Sequence, residues 1–164
     1  MKFLTIISLW LLSVASYGQA DEWATLSRDI WKPFVEGVNA NRPEIYNGVN
    51  AEDFLWAAAG KKPRVMNLEE YEEDARVVMQ DRQQKGIQTQ LDLRFAERQV
   101  HKDVACEKLL IKYTATERGK APVVAYGAAL MFSRKREGVW KKVLQLPLPD
   151  AVTAADFDQA QPLE

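Results

Sequence analysis

From Ile87 to Leu146 the sequence reads as strand, broken only by three turn signals. A run of this length with period-two alternation folds as hairpins of one antiparallel sheet. The sheet is the largest element this chain can build, and the segments before Gly86 must pack on it.

The turns set which side chains meet. Val100 opposite Val104 makes a first hairpin with a loop at His101-Lys102-Asp103. Leu91, Leu93 and Phe95 then face Tyr113, Ile111 and Leu109 on one side of the sheet, and Asp92 meets Lys112 on the other. Arg118-Gly119 makes the second turn, with Glu117 opposite Lys120, and Glu137-Gly138 the third, with Arg136 opposite Val139. The inner face continues through Val124, Tyr126, Ala128, Leu130 and Phe132 and ends on Val143 and Gln145. This register places Glu97, Glu107, Leu130 and Gln145 in one inner row. Two facing carboxylates on an apolar surface either form the polar end of a pocket, with one pKa raised, or lie at a margin where water or Arg98 satisfies them. The outer face carries Leu110, Ala125, Gly127, Ala129, Met131, Trp140, Leu144 and Leu146, an apolar surface that suits a second copy of the chain.

Upstream, Trp23, Leu26, Ile30, Phe34 and Val38 draw one apolar helical stripe, with a kink expected at Pro33, which lacks the N–H for the Asp29 carbonyl. Pro43 opens a short second helix that Gly48 stops. Asp53 to Ala57 reads as a short strand and Gly60 to Pro63 as a turn. Asn67 and Glu70 have capping-box spacing and open a helix ended by Gly86, with Leu68, Tyr71, Ala75, Val78 and Met79 on its buried side. The acids Glu69, Glu70, Glu72, Glu73 and Asp74 favour the dipole of that helix or face water.

At the start, Lys2, an apolar run of about 11 residues and the small residues Ser16, Gly18 and Ala20 read as a cleaved signal peptide. The run is too short for the ~20 residues that span a bilayer, so no stable membrane insertion is expected after cleavage. The expected organisation is a leader at 1–20, one domain at 21–149 and a solvated tail at 150–164, with at most one weak helical turn. The product is exported, to the periplasm or the medium. The 22 Lys plus Arg nearly balance 23 Asp plus Glu, which argues against a nucleic-acid partner. One His and one Cys exclude zinc sites built from several such ligands, and His101 falls in a hairpin loop. No metal, nucleotide or flavin motif is present, and no cofactor is expected.

Three helical segments followed by a long antiparallel sheet resemble the nuclear transport factor 2-like superfamily, which includes SnoaL-like cyclases, ketosteroid isomerases and uncharacterised exported bacterial proteins. The resemblance covers roughly Trp23 to Leu146. Its carriers are Asn67-Leu68-Glu69-Glu70-Tyr71, Phe95-Ala96-Glu97-Arg98, Val104-Ala105-Cys106-Glu107, Tyr126-Gly127, and Arg134-Lys135 through Gly138-Val139-Trp140-Lys141. It implies an α+β fold in which a strongly curved sheet wraps the helices and leaves a conical pocket, with frequent dimerisation through the sheet. Where related members carry acids after the final Trp-Lys, this chain has Gln145-Leu146-Pro147.

Three functions stay open. A binding module would line its pocket with Trp56, Tyr71, Leu93, Phe95, Tyr113 and Tyr126, with polar ends at Glu97, Glu107 and Gln145, and hold a small, largely apolar ligand. A proton-transfer enzyme of isomerase, cyclase or dehydratase type would use Glu97 or Glu107 as base and Tyr126 or Tyr113 as donor. A dimerising module would use only the outer face, through Met131, Trp140, Leu144 and Leu146.

Overall fold

A computed structural model describes residues 21–59 and 62–163. The leader and Gly60-Lys61 of the expected turn lie outside the described residues.

Residues 21–39 are helical throughout and form α1. Inside it, Ser27–Trp31 is a π-helical turn, closed by the Lys32 N–H on the Ser27 carbonyl, and Lys32–Asn39 is regular α-helix. Pro33 explains the irregularity. Its ring and missing N–H cannot join a regular ladder, and the widened turn lies directly before it. Of the expected apolar stripe, Leu26, Ile30, Phe34 and Val38 are buried and Trp23 is half-buried; Trp31, outside the stripe, is buried as well. α2 is Pro43–Asn47, with Gly48 as its C-cap. It sits hard against α1, because a Cβ on Gly37 would come within 2.5 Å of the Tyr46 backbone nitrogen. Only a glycine allows that approach, and the approach brings the Tyr46 ring 4.9 Å from that of Phe34.

β1 (Asn50–Ala58) is longer than the strand expected there, and β2 (Arg64–Asn67) pairs with it. α3 (Leu68–Gln84) begins with the expected capping box between Asn67 and Glu70. Of its expected buried side, Tyr71 and Met79 are buried and Val78 is exposed. Then follow β3 (Gln88–His101), β4 (Val104–Thr116), β5 (Val123–Arg136) and β6 (Val139–Leu148). Among the described residues seven strands make one curved, unclosed sheet, ordered β2-β1-β6-β5-β4-β3-β7. Every pairing is antiparallel except that of β1 with β6.

Three local irregularities redistribute the side chains between the faces. In the first hairpin Leu91, Leu93 and Phe95 face Tyr113, Ile111 and Leu109 as expected. A bulge at Ala96 then places Glu97 opposite Lys108 and Arg98 opposite Glu107. In the second hairpin the turn bond from Lys120 N to Glu117 O is present, at 3.0 Å. Pairing starts only at Val123 opposite Ala115, one residue out of the expected register. Pro122 has no N–H to give the ladder, so the strand begins after it. That slip turns β5 over: Ala129, Met131 and Ser133 point inward, while Tyr126 and Leu130 point outward. The third turn pairs Arg136 with Val139 as expected, and a bulge at Val143 then reverses the alternation of β6.

The inner face packs on α1 around Trp31, Trp140, Phe95, Leu109 and Met131. Trp140 is pinned to the helix twice, by its indole N–H on Glu22 (3.2 Å) and its backbone N–H on Asp29 (3.1 Å). Lys135 adds an ion pair to Glu22 at 3.0 Å. Met131 and Trp140 are fully buried here, which corrects their expected place on an outer docking face. The described residues 150–163 also depart from the solvated tail expected at 150–164. Thr153 caps α4 (Ala154–Gln159), and Phe157 is buried against Leu110 and Ala128 on the outer face. β7 (Gln161–Pro162) pairs with the edge of β3.

Replacing Gly37 with Ala forces α2 away from α1. A loss of about 1–3 kcal/mol is expected, read by urea denaturation. Near-UV circular dichroism of the tyrosines should change with it, because Tyr46 moves off Phe34.

Candidate functional site

Among the described residues two charged side chains are wholly buried on the inner face, Glu107 and Lys142. Glu107 faces inward in phase with Leu109 on the regular strand β4, and Lys142 because the slip at Pro122 turns β5 and β6 over; they are satisfied very differently.

Glu107 accepts from Arg98 Nε at 2.8 Å and from Trp31 Nε1 at 3.0 Å. Arg98 is itself only 5% exposed, and its guanidinium lies 3.9 Å from the Phe95 ring centroid. Burial pushes the Glu107 carboxyl up, against the opposing pull of Arg98 and Trp31. The group is held on both oxygens by donors of the same core. That is a brace between α1, β3 and β4, not a free base. Glu97 is exposed on the other face, so the two carboxylates expected to face each other do not. The bulge at Ala96 is the reason: it sends Glu97 outward and Arg98 inward.

Lys142 has no such partner. Its ammonium donates to Gln145 Oε1 at 3.2 Å, and no carboxylate among the described residues pairs with it. Burial alone drives its pKa down, to about 7. Around Nζ stand four aromatic rings: Phe34 at 4.2 Å, Phe54 at 5.3 Å, Tyr46 at 5.6 Å and Tyr71 at 5.8 Å to their centroids. These rings face the cation through their negative π-clouds, which offsets part of its lost hydration. Four elements supply the cage: α1 through Phe34, α2 through Tyr46, β1 through Phe54 and α3 through Tyr71. Trp56, Met66 and Leu68 pack behind it.

The cage has a polar floor. Tyr71 donates to the same Gln145 oxygen at 3.3 Å, and its hydroxyl is in direct hydrogen-bond contact with that of Tyr46. Burial keeps both phenols protonated, raising Tyr46 to about 12 and Tyr71 well above the usual range. On its other side Lys142 stands in a row between Asn50 and Ser133, its register partners on β1 and β6's neighbour β5. The Ser133 hydroxyl and both polar atoms of the Asn50 side chain are buried without a hydrogen-bond partner. β5 lies between Lys142 and Glu107, so the two charges are separated by two strand spacings, on the order of 10 Å.

Of the expected pocket residues, Tyr71 and Gln145 meet at this amine, and Trp56 packs beside it. Leu93, Phe95 and Glu107 belong to the main core on α1. Tyr113 lies half-buried beside that core under Arg82, 5.2 Å from its ring. Tyr126 is on the outer face against Phe157. Four residues of the site are missing from the sequence expectation: Lys142, Phe34, Tyr46 and Phe54. A lysine flanked by Lys141 in a strand reads as solvated, and only the register of β6 shows otherwise.

No protein-family model matches the chain, and no curated protein matches it. Solved structures do. A scytalone dehydratase-like protein from Novosphingobium aromaticivorans superposes with a TM-score of 0.66 at 15% identity, over 90% of this chain and 97% of that one. A ketosteroid isomerase-like protein from Erwinia carotovora atroseptica gives 0.56 at 16% identity, over 79% and 98%. An NTF2-like protein with a cystatin-like fold, also from Novosphingobium, gives 0.57 at 14% identity, over 94% and 96%. The fold is therefore the NTF2-like one that the sequence resembles.

The Lys142 amine makes stability depend on pH with a known sign. Its folded pKa is below its unfolded value of 10.5, so between the two the unfolded chain binds more protons. Stability should rise by about 3 kcal/mol between pH 7 and pH 9.5, as urea denaturation at each pH will read. The Lys142→Met protein should be more stable at pH 7 and lose most of that slope. At Glu107 the opposite is expected: Arg98→Met strands a buried carboxylate and costs about 3–5 kcal/mol at pH 7. Adding Glu107→Gln to it should recover much of the loss.

Proposed function

We propose that this chain is a small-molecule-binding protein whose ligand seat is the aromatic cage around Lys142. The observation that carries the reading is the amine itself: fully buried, walled by four aromatic rings and bonded to one neutral oxygen. A buried charge without a counter-ion costs stability, and such groups concentrate at functional sites. An apolar wall with a few convergent polar groups is also the usual make-up of a ligand site. The ligand this chemistry suits is small and largely apolar, with one oxygen acceptor or acidic group to take the spare N–H donors of Lys142. The Tyr46–Tyr71 pair and Gln145 then fix its orientation. The neighbours described as scytalone dehydratase-like and ketosteroid isomerase-like support a fold suited to small ligands.

Proton transfer remains as a second reading, now centred on Lys142 and the two tyrosines. One observation favours it: an amine that titrates near neutrality beside phenols that stay protonated. In this proposal the mature chain is exported after removal of 1–20. Pairing of two copies is kept in reduced form, through Leu130, Phe132, Leu144 and Leu146, which are half-buried on the outer face.

Titration calorimetry with small aromatic carboxylates and ketones tests the seat. Lys142→Met should weaken any ligand found by at least ~10-fold, the worth of a hydrogen bond to a charged donor. Unchanged affinity in that protein would place the seat elsewhere. Sedimentation of the mature chain reads the pairing, and a strict monomer at high concentration removes it.

A further inference from the structure

We propose that Lys142 is a nucleophile that condenses with the carbonyl carbon of a small aldehyde or ketone seated in the cage, giving an imine. This rests on the binding reading above and names its ligand class.

The placement of groups carries it. An ammonium cannot attack; a neutral amine can, and a lysine is made neutral by taking it out of water into apolar surroundings without a carboxylate. Lys142 has those surroundings: Phe34 and Phe54 close on Nζ, and its one hydrogen-bond partner is an amide oxygen. Its lowered pKa agrees with the geometry. Condensation also needs a proton donor for the oxygen that leaves, and the Tyr71 hydroxyl shares the Gln145 oxygen with the amine. Behind Tyr71, the Tyr46 hydroxyl can resupply the proton. On the other flank the unpartnered Ser133 hydroxyl and Asn50 amide supply polar atoms for the carbonyl oxygen as it becomes a hydroxyl.

The atoms balance without a redox partner. The Nζ lone pair forms the N–C bond and the C=O π pair moves to oxygen, which takes a proton and becomes the carbinolamine hydroxyl. Nitrogen loses its two protons over the sequence, one to that oxygen and one to restore Tyr71. The C–O bond breaks as Tyr71 protonates the hydroxyl, and one water leaves. The product is a C=N bond and water. Hydrolysis reverses it.

The test is reductive trapping of the full mature chain with benzaldehyde and sodium cyanoborohydride at pH 7, read by intact mass and peptide mapping. A secondary-amine adduct on Lys142, formed at least ~10-fold faster than on exposed lysines, is expected from the larger neutral fraction of a low-pKa amine. Its rate should reach half-maximum near pH 7. Lys142→Arg should abolish this adduct, and Tyr71→Phe should slow its formation by a larger factor than it weakens binding of benzyl alcohol, as loss of a proton donor requires. Benzyl alcohol, which has the ring and no carbonyl, separates the two readings by calorimetry. If it binds and Lys142 stays unmodified, the imine inference fails and the binding reading stands. If it does not bind and the label falls only on exposed lysines, both fail.

Discussion

Between Lys142 and Leu144 the pairing of β6 with β5 skips one residue, and that skip sets Lys142 and Gln145 on the same face of the sheet. Without it Leu144 would follow Lys142 inward and Gln145 would face solvent. The amine would then have no hydrogen-bond partner at all, and Tyr71 would lose its acceptor. A buried ammonium is tolerated only where its hydration is partly replaced, and here an amide oxygen and four π-faces do that. The cage exists because α1, α2, α3 and β1 each contribute one ring to it. Gly37 is the condition for one of those rings, since α2 could not otherwise approach.

The same device operates at the other end of the inner face with a different result. The bulge at Ala96 brings Arg98 across from Glu107, and Trp31 completes the acceptor's needs. Both charges there are spent on each other. That pair, with Trp31, holds α1 to the sheet and occupies both Glu107 oxygens, while Arg98 Nη2 stays buried without a partner. The Lys142 end has the same burial, but spare N–H donors and unpartnered neighbours. Structural and chemical roles for buried charge are thus separated within one sheet by how completely each charge is satisfied.

Much of this was legible along the chain. The capping box at Asn67, the Pro43–Gly48 helix, the apolar stripe of α1 and the first half of the β3–β4 register follow from local chemistry, and all are observed. The errors began at Pro122, where a proline between turn and strand delays pairing by one residue. A slip of one turns every side chain over, so Met131 and Trp140 were assigned to the wrong face. The bulge at Val143 turns the strand back, which is why Gln145 still fell on the inner side. The C-terminal segment looked solvated because its composition is polar. Phe157 is its one buried apolar side chain among the described residues, and one residue makes no periodic pattern.

By itself, the sequence determined the class of the molecule: helices first, a long antiparallel sheet after, with near-neutral charge and no clustered metal ligands. Those properties reside in neighbours along the chain, where propensity, capping and turn chemistry act. That Lys142 enters the core, and that Arg98 rather than Glu97 meets Glu107, was decided only in the tertiary structure. A bulge is a compromise between two strands and the layer packed on them, so no single strand encodes it. The amine at 142 became unusual only when rings from four separate elements closed around it.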